Sequence, residues 1–208
     1  MNRERELLEI AKRIRAMSQT GLVYVQDEYD RERYEEFVSL SDKITSLLTD
    51  YSISEIQANY LPVKEYVTPK VDIRAIVFND KNEILLVREK ADGLWSVPGG
   101  WSDVGYSPSE VAVKEVKEET GLDVEASRLL AVLDMRKHNH PVIPFYVYKF
   151  FILCDIKGGA FDNTFDILDK GFFALDNLPP LSEERVLASQ IEKMLELKNN
   201  PANDVIFD

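Results

Sequence analysis

Three glutamates, Glu115, Glu118 and Glu119, fall at positions i, i+3 and i+4 of a stretch with helical period. On a helix this spacing puts all three carboxylates on one face, across roughly 100° of arc. Like charges so placed repel, and each close pair costs an isolated helix about 0.2–0.5 kcal/mol. A hard divalent cation reverses that sign, and carboxylate oxygens are the ligands that Mg²⁺ or Mn²⁺ prefers. Just ahead of the helix stands Pro98-Gly99-Gly100. Glycine there permits unusual φ and close backbone approach, so a carbonyl of that turn could face the same ion. A bound cation would also let an acidic protein accept a small anionic substrate.

The helix that must carry these carboxylates is well punctuated. Ser107 is a natural N-cap, Pro108 suits the first helical position and Glu110 completes a capping box. Gly121 ends the helix where positive φ is needed, so residues 108–120 are predicted helical. Val113, Val116 and Thr120 share a face that should pack on a sheet, and Lys114 and Lys117 share another. Upstream, residues 71–77 and 84–88 read as strands joined by a turn at 79–82, which predicts a hairpin. Further strands are expected at 129–134, 145–154 and 172–173, and a helix at 182–198. This mixture predicts an α+β domain over residues 68–208. Residues 1–67 instead read as a small all-helical domain. One helix reaches to a break at Thr20-Gly21, a second spans 27–48, and a third short one spans 54–60 before Pro62. So few helices enclose a thin core, so this segment should pack on the other domain or on a second subunit.

Composition narrows the partners. The chain has 208 residues and a net charge of −12. Both predicted domains are acidic, which disfavours a nucleic acid polymer or an anionic membrane surface. One cysteine, Cys154, and two histidines leave no cysteine or multi-histidine metal cluster, and the cysteine usage fits a reducing compartment. His138 and His140 read as parts of a polar surface turn at 136–141. The N-terminus lacks the apolar run of a secretory signal, and the apolar stretch 142–153 is too short for a membrane span and contains Pro144 and Lys149. A cytoplasmic protein is expected.

The stretch from Pro98 to Leu122 resembles the Nudix box, G-x5-E-x7-R-E-U-x-E-E-x-G-U with U apolar. Gly100 takes the first glycine, and Glu115, Val116, Glu118, Glu119, Gly121 and Leu122 take the later positions. Tyr106 replaces the first glutamate and Lys114 replaces the arginine. The approach Trp95-Ser96-Val97-Pro98 and the later segment 171–181 extend the resemblance over about residues 70–198. It implies a Nudix α/β/α sandwich. With the helical N-terminal segment, the chain resembles the subgroup that hydrolyses nucleoside diphosphates linked to another moiety X, which includes CDP-choline and ADP-ribose pyrophosphatases. The resemblance further implies Mg²⁺ or Mn²⁺ held by Glu115, Glu118, Glu119 and the Gly99 carbonyl. It implies a carboxylate base, with Glu118 the first choice and Asp166 and Asp169 of a later loop as alternatives. Arg74 and Arg88 are candidates for phosphate or ribose contacts, and Trp101 and Tyr106 for stacking on a base. A homodimer is expected. The competing class is a catalytically weakened Nudix fold that binds a nucleotide ligand as a regulator, which the two departures from the box would favour.

Overall fold

The computed structural model describes residues 3–59, 66–103, 105–162 and 166–208. The chain forms two compact units, one of residues 1–69 with 142–146, the other of residues 70–141 with 147–208.

In the first unit α1 (Arg3–Tyr24) and α2 (Glu28–Leu48) lie side by side, followed by the short α3 (Ile53–Ala58). Asp27 caps α2 by accepting from the Tyr29 and Asp30 N–H groups, and Ser52 and Glu55 form a capping box on α3. The break expected at Thr20-Gly21 is absent, because α1 runs through it. A Cβ at Gly21 would lie 2.5 Å from the Tyr34 ring, so this glycine admits the neighbouring helix rather than ending its own. The contact between α1 and α2 is largely polar. Arg15 pairs with Asp42, Gln57 donates to Asp42 at 3.2 Å, and Ser41 donates to the Ala11 carbonyl at 2.7 Å. Leu8, Ala11 and Ile56 are buried among them. Tyr60 and Pro62, where the third helix was expected to stop, lie outside the described residues.

The second unit is a mixed α+β sandwich. Its strands are β1 (Lys70–Ile76), β2 (Ile84–Glu89), β3 (Trp95–Ser96) and β4 (Gly99–Trp101), and after helix α4 (Pro108–Thr120) come β5 (Leu122–Asp134), β6 (Val147–Gly159) and β7 (Ile167–Phe173). Helix α5 (Ala188–Asn199) and β8 (Ile206–Phe207) complete it. One sheet has the order β4-β1-β6-β5-β8 and the other β3-β2-β7. The expected hairpin of β1 and β2 is therefore only a turn. Asn79 organises it, and pairing persists from Val77 and Phe78 to Ile84 and Leu85 before the two strands join different sheets. The cause is burial of both faces. Ile73, Ala75 and Val77 pack with Val111, Ala112 and Val116 of α4, whereas Ile76 and Phe78 pack with Ile191, Met194 and Leu197 of α5. Alternation along β1 thus marks two buried faces, not one wet and one dry.

The other expectations hold with shifted ends. The strand expected at 129–134 begins at Leu122, and the helix expected from 182 begins at Ala188. Residues 182–187 form turns instead, in which the Arg185 and Val186 N–H groups donate to the Ser182 carbonyl.

Candidate active site

Helix α4 forms as its sequence requires. Ser107 and Glu110 close the capping box, Pro108 opens the first turn and Gly121 ends the helix at φ +86°. Val111, Ala112, Val116 and Thr120 are buried, while Val113 of the expected packing face is only partly so. This fixes the rotation of the helix, and with it the three carboxylates.

Their environments differ. Glu118 is exposed. Glu115 is largely covered and lies against Gly100, where a Cβ would stand 3.4 Å from its carboxylate. Burial raises the Glu115 pKa, and Lys114 opposes that rise. Glu119 reaches in to the glycine turn, where its Oε2 accepts the Gly99 N–H at 3.1 Å. Burial first, and the charge of Glu89 next, push its pKa up to about 8, against the pull of Arg74. Gly99 has φ +150°, and a Cβ there would lie 2.1 Å from the Ile73 carbonyl oxygen. Only glycine brings this backbone so close to β1.

Lys114, which stands where the box has arginine, meets its acidic neighbours as a point charge. Its Nζ lies 3.3 Å from Glu115, 3.4 Å from Glu118 and 3.5 Å from Asp103. Glu115 above all holds the ammonium protonated well above the ordinary lysine value. Tyr106 is half exposed, its ring 5.9 Å from the same ammonium, and Trp101 is half exposed with the Lys70 Nζ 5.3 Å from its ring.

The two arginines part company. Arg74 was expected to contact a substrate phosphate or ribose. It is buried, with its Nε 3.1 Å from Asp72 Oδ2 and its Nη2 2.9 Å from Oδ1. Its Nη1 donates to the carbonyls of Gly99 (3.2 Å) and Val97 (3.4 Å) and to the Ser96 hydroxyl (3.4 Å). Asp72 and the turn at 96–99 take up its donors and cover it from water, so Arg74 serves the glycine turn. Arg88 lies at the end of β2, and its buried Nε has no hydrogen-bond partner among the described residues. Asp169 was expected in a loop but lies on β7, opposite Arg88 in the β2–β7 register, because the strand begins at Ile167; Asp166 just precedes it, and both carboxylates are exposed.

Sequence reasoning missed Glu89, which acts electrostatically on both Glu119 and Arg74. A charged pair ending the apolar run of β2 was the available signal. It also misplaced His140, which is buried. The His140 Nδ1 lies 2.5 Å from the Glu183 carbonyl and its Nε2 2.9 Å from Gln190, and burial lowers its pKa to about 4. His138 pairs with Asp208 at 2.9 Å.

Among the described residues, no three His, Cys, Asp or Glu side chains already stand in ligating positions. The chemistry of the donors nevertheless fits a divalent cation. A partly buried carboxylate crowded by two others and driven towards protonation is one that such an ion would stabilise.

Comparison with known proteins decides the family. Residues 68–194 match the NUDIX domain model. The chain belongs to the Nudix hydrolase family. Residues 5–60 match a second model, described as a UDP-X-like, N-terminal oligomerisation domain. A Bacillus subtilis protein, YjhB, provisionally named an ADP-ribose pyrophosphatase, is 47% identical over 97% of this chain and 96% of its own length. A crystal structure of an ADP-ribose pyrophosphatase from Streptococcus suis is 48% identical, with TM-score 0.62, covering 68% of this chain and all of that one. A crystal structure of a UDP-X diphosphatase is 35% identical, with TM-score 0.63, over 99% of both chains. The Nudix resemblance read from residues 98–122 is thereby borne out, and the protein is an enzyme of the Nudix pyrophosphatase class. No helix of the described residues is long and apolar enough to cross a membrane.

Proposed function

We propose that this Nudix enzyme hydrolyses the pyrophosphate bond of an X-linked nucleoside diphosphate, with ADP-ribose the first substrate to test, giving a nucleoside monophosphate and phosphorylated X. The carrying observation is the crowding of Glu119 by Glu89 and Glu115 at the Gly99 turn, a concentration of negative charge that a cation would relieve. The names borne by the B. subtilis and S. suis relatives support ADP-ribose, and that of the UDP-X diphosphatase supports the broader class. CDP-choline remains in the panel on the sequence resemblance.

Glu115, Glu118 and Glu119, with the Gly99 carbonyl, would hold Mg²⁺ or Mn²⁺. When bound, the cation offsets diphosphate charge and acidifies a coordinated water. Gly99 can serve while accepting from Arg74, because a carbonyl oxygen has two lone pairs. Glu118, exposed beside Lys114, is the first assignment for the carboxylate that accepts the proton of the attacking water, and Asp166 and Asp169 are the alternatives. Arg88, with its unpartnered Nε, is assigned to a substrate phosphate. Arg74 is assigned to the turn and no longer to the substrate. The exposed rings of Trp101 and Tyr106 offer stacking faces for the base.

Residues 1–67 would serve assembly and residues 68–208 chemistry. Helix α1 exposes Leu7, Ile10, Met17 and Tyr24, and α2 exposes Phe37, Leu40, Ile44 and Leu47. These run at helical spacing, and with the match to an oligomerisation model they support a homodimer. The buried free Cys154 is compatible with a cytoplasmic setting.

The test is hydrolysis of ADP-ribose, CDP-choline and UDP-sugars with Mg²⁺, Mn²⁺ or EDTA, following nucleoside monophosphate release. Cation-dependent turnover that Glu119→Gln abolishes is expected. A folded, cation-bound protein inert on the whole panel would overturn the proposal in favour of a binding role. Sedimentation showing a monomer at micromolar concentration would refute the dimer.

A further inference from the structure

The most buried charged residues of the catalytic unit are not on α4. Asp72 and Lys149 face each other across the parallel pair β1–β6, each only 2% exposed. Lys149 Nζ donates to Asp72 Oδ2 at 2.6 Å and to the Arg185 carbonyl at 3.0 Å. A lone ammonium cannot be taken out of water cheaply, so a lysine in this position needs such partners. Burial pulls its pKa down to about 8, and Asp72 works against that fall. Burial also acts to raise the Asp72 pKa, but Arg74 and Lys149 outweigh it and hold the carboxyl below its ordinary value.

Two branches leave this lysine. Through Asp72 it orients the Arg74 guanidinium, which grips the carbonyls of Val97 and Gly99. Through the Arg185 backbone it fixes a residue whose side chain lies 3.5 Å from Glu89 and binds Asp92. The branches meet again at Glu119. One supplies the Gly99 N–H that Glu119 accepts, and the other holds the Glu89 charge that acts on it.

We propose that Lys149 is a positioning residue for the reaction, holding Arg74 through Asp72 and Glu89 through Arg185 so that the Gly99 turn and the Glu119 carboxylate keep the arrangement a cation needs. The inference rests on the reading of Gly99 and Glu119 as cation ligands. Lys149 touches neither substrate nor cation. Residues that orient ligands in this way are typically worth about 10–100-fold in metal affinity or activity.

The experiment uses the full chain and two readouts, Mn²⁺ affinity measured directly from the spin-resonance signal of free Mn²⁺, and steady-state kinetics on the best substrate. Lys149→Met should weaken Mn²⁺ binding and lower kcat by about 10-fold or more, with KM within about twofold, and Lys149→Arg should recover part of both. Lys149→Met that is folded by circular dichroism yet matches the parent in Mn²⁺ affinity and kcat, while Glu119→Gln loses both, would reduce Lys149 to a packing role and overturn the proposal. If Glu119→Gln itself binds Mn²⁺ and turns over normally, the underlying assignment of the site fails instead. Should Lys149→Met not fold, Asp72→Asn carries the same test, because it keeps the shape and removes the charge that joins Lys149 to Arg74. Unchanged Mn²⁺ affinity and kcat in that variant would equally overturn the proposal.

Discussion

Glu119 should be a burden on the fold whenever the cation is absent, and replacing it with glutamine should make the cation-free protein more stable at high pH. Burial and the neighbouring Glu89 raise its pKa from 4.5 to about 8. Between those two values the folded protein binds more protons than the unfolded chain, so stability falls as pH rises through the window. At 1.36 kcal/mol for each tenfold change in proton affinity, the full difference is about 5 kcal/mol. Glu119 is only partly covered by its residue area, so solvent screening reduces this to about 3 kcal/mol. Glutamine has no proton to lose and keeps the same shape. Urea denaturation in EDTA should therefore find the parent and Glu119→Gln similar near pH 4.5. Above pH 8 the variant should lead by about 3 kcal/mol, a midpoint gain of about 1–2 M urea. Adding Mn²⁺ at pH 8 should raise the parent's midpoint and leave the variant's largely unmoved. Parallel curves of stability against pH for the two proteins in EDTA would refute the reasoning, because they would place Glu119 in an ordinary solvated setting.

Three further outcomes are expected. Gly99→Ala should cost about 2–4 kcal/mol in urea denaturation and abolish turnover, since the added Cβ would lie 2.1 Å from the Ile73 carbonyl oxygen at a positive φ. Lys114→Ala should change the melting temperature little, the ion pairs being partly exposed, yet lower kcat, and Lys114→Arg should restore it. Equal kcat in all three proteins would remove Lys114 from the site. Burial holds the His140 pKa near 4, so the unfolded chain binds its proton first as pH falls from 6.5. About 2–3 kcal/mol of stability should be lost by pH 4, and His140→Gln should lack that part of the slope when urea midpoints are compared at pH 4.5 and pH 7.

The catalytic helix was legible because its determinants are local. Ser107, Pro108, Glu110 and Gly121 set both ends within one stretch of chain, and the spacing of Glu115, Glu118 and Glu119 follows from the period alone. The three glutamates could be grouped from sequence, but the cover over Glu115 and Glu119 and the exposure of Glu118 could not, because the cover comes from Gly99 and Gly100 of β4. The partition of β1 and β2 between two sheets was hidden because a strand buried on both faces keeps the same alternating letters as one exposed on one face. Arg74 was misread because the groups that cover it are distant in the chain: its Asp72 partner is tied to Lys149, 77 residues on, and its other contacts lie on the turn at 96–99. Gly21 looked like a helix stop because the ring that demands it, that of Tyr34, belongs to another helix. His140 gave no signal, its partners Glu183 and Gln190 being some 40 to 50 positions away.

The parallel pairing of β1 with β6 has a consequence for how the enzyme is made. The chain between Asp72 and Lys149 contains β2, β3, β4, α4 and β5, so the whole carboxylate helix sits inside a closed loop of 77 residues. Closing a flexible loop of that length costs about 4 kcal/mol of chain entropy before any distant contact repays it. Local helices form in about a microsecond or less, whereas such long-range pairing is slow. A nascent chain would therefore display a formed α4 well before its glycine turn is seated, and cation affinity would emerge only as β1 and β6 zip together. Capture of Mn²⁺ during refolding should accordingly trail the gain of helix signal, making the cation a reporter of the last assembly step.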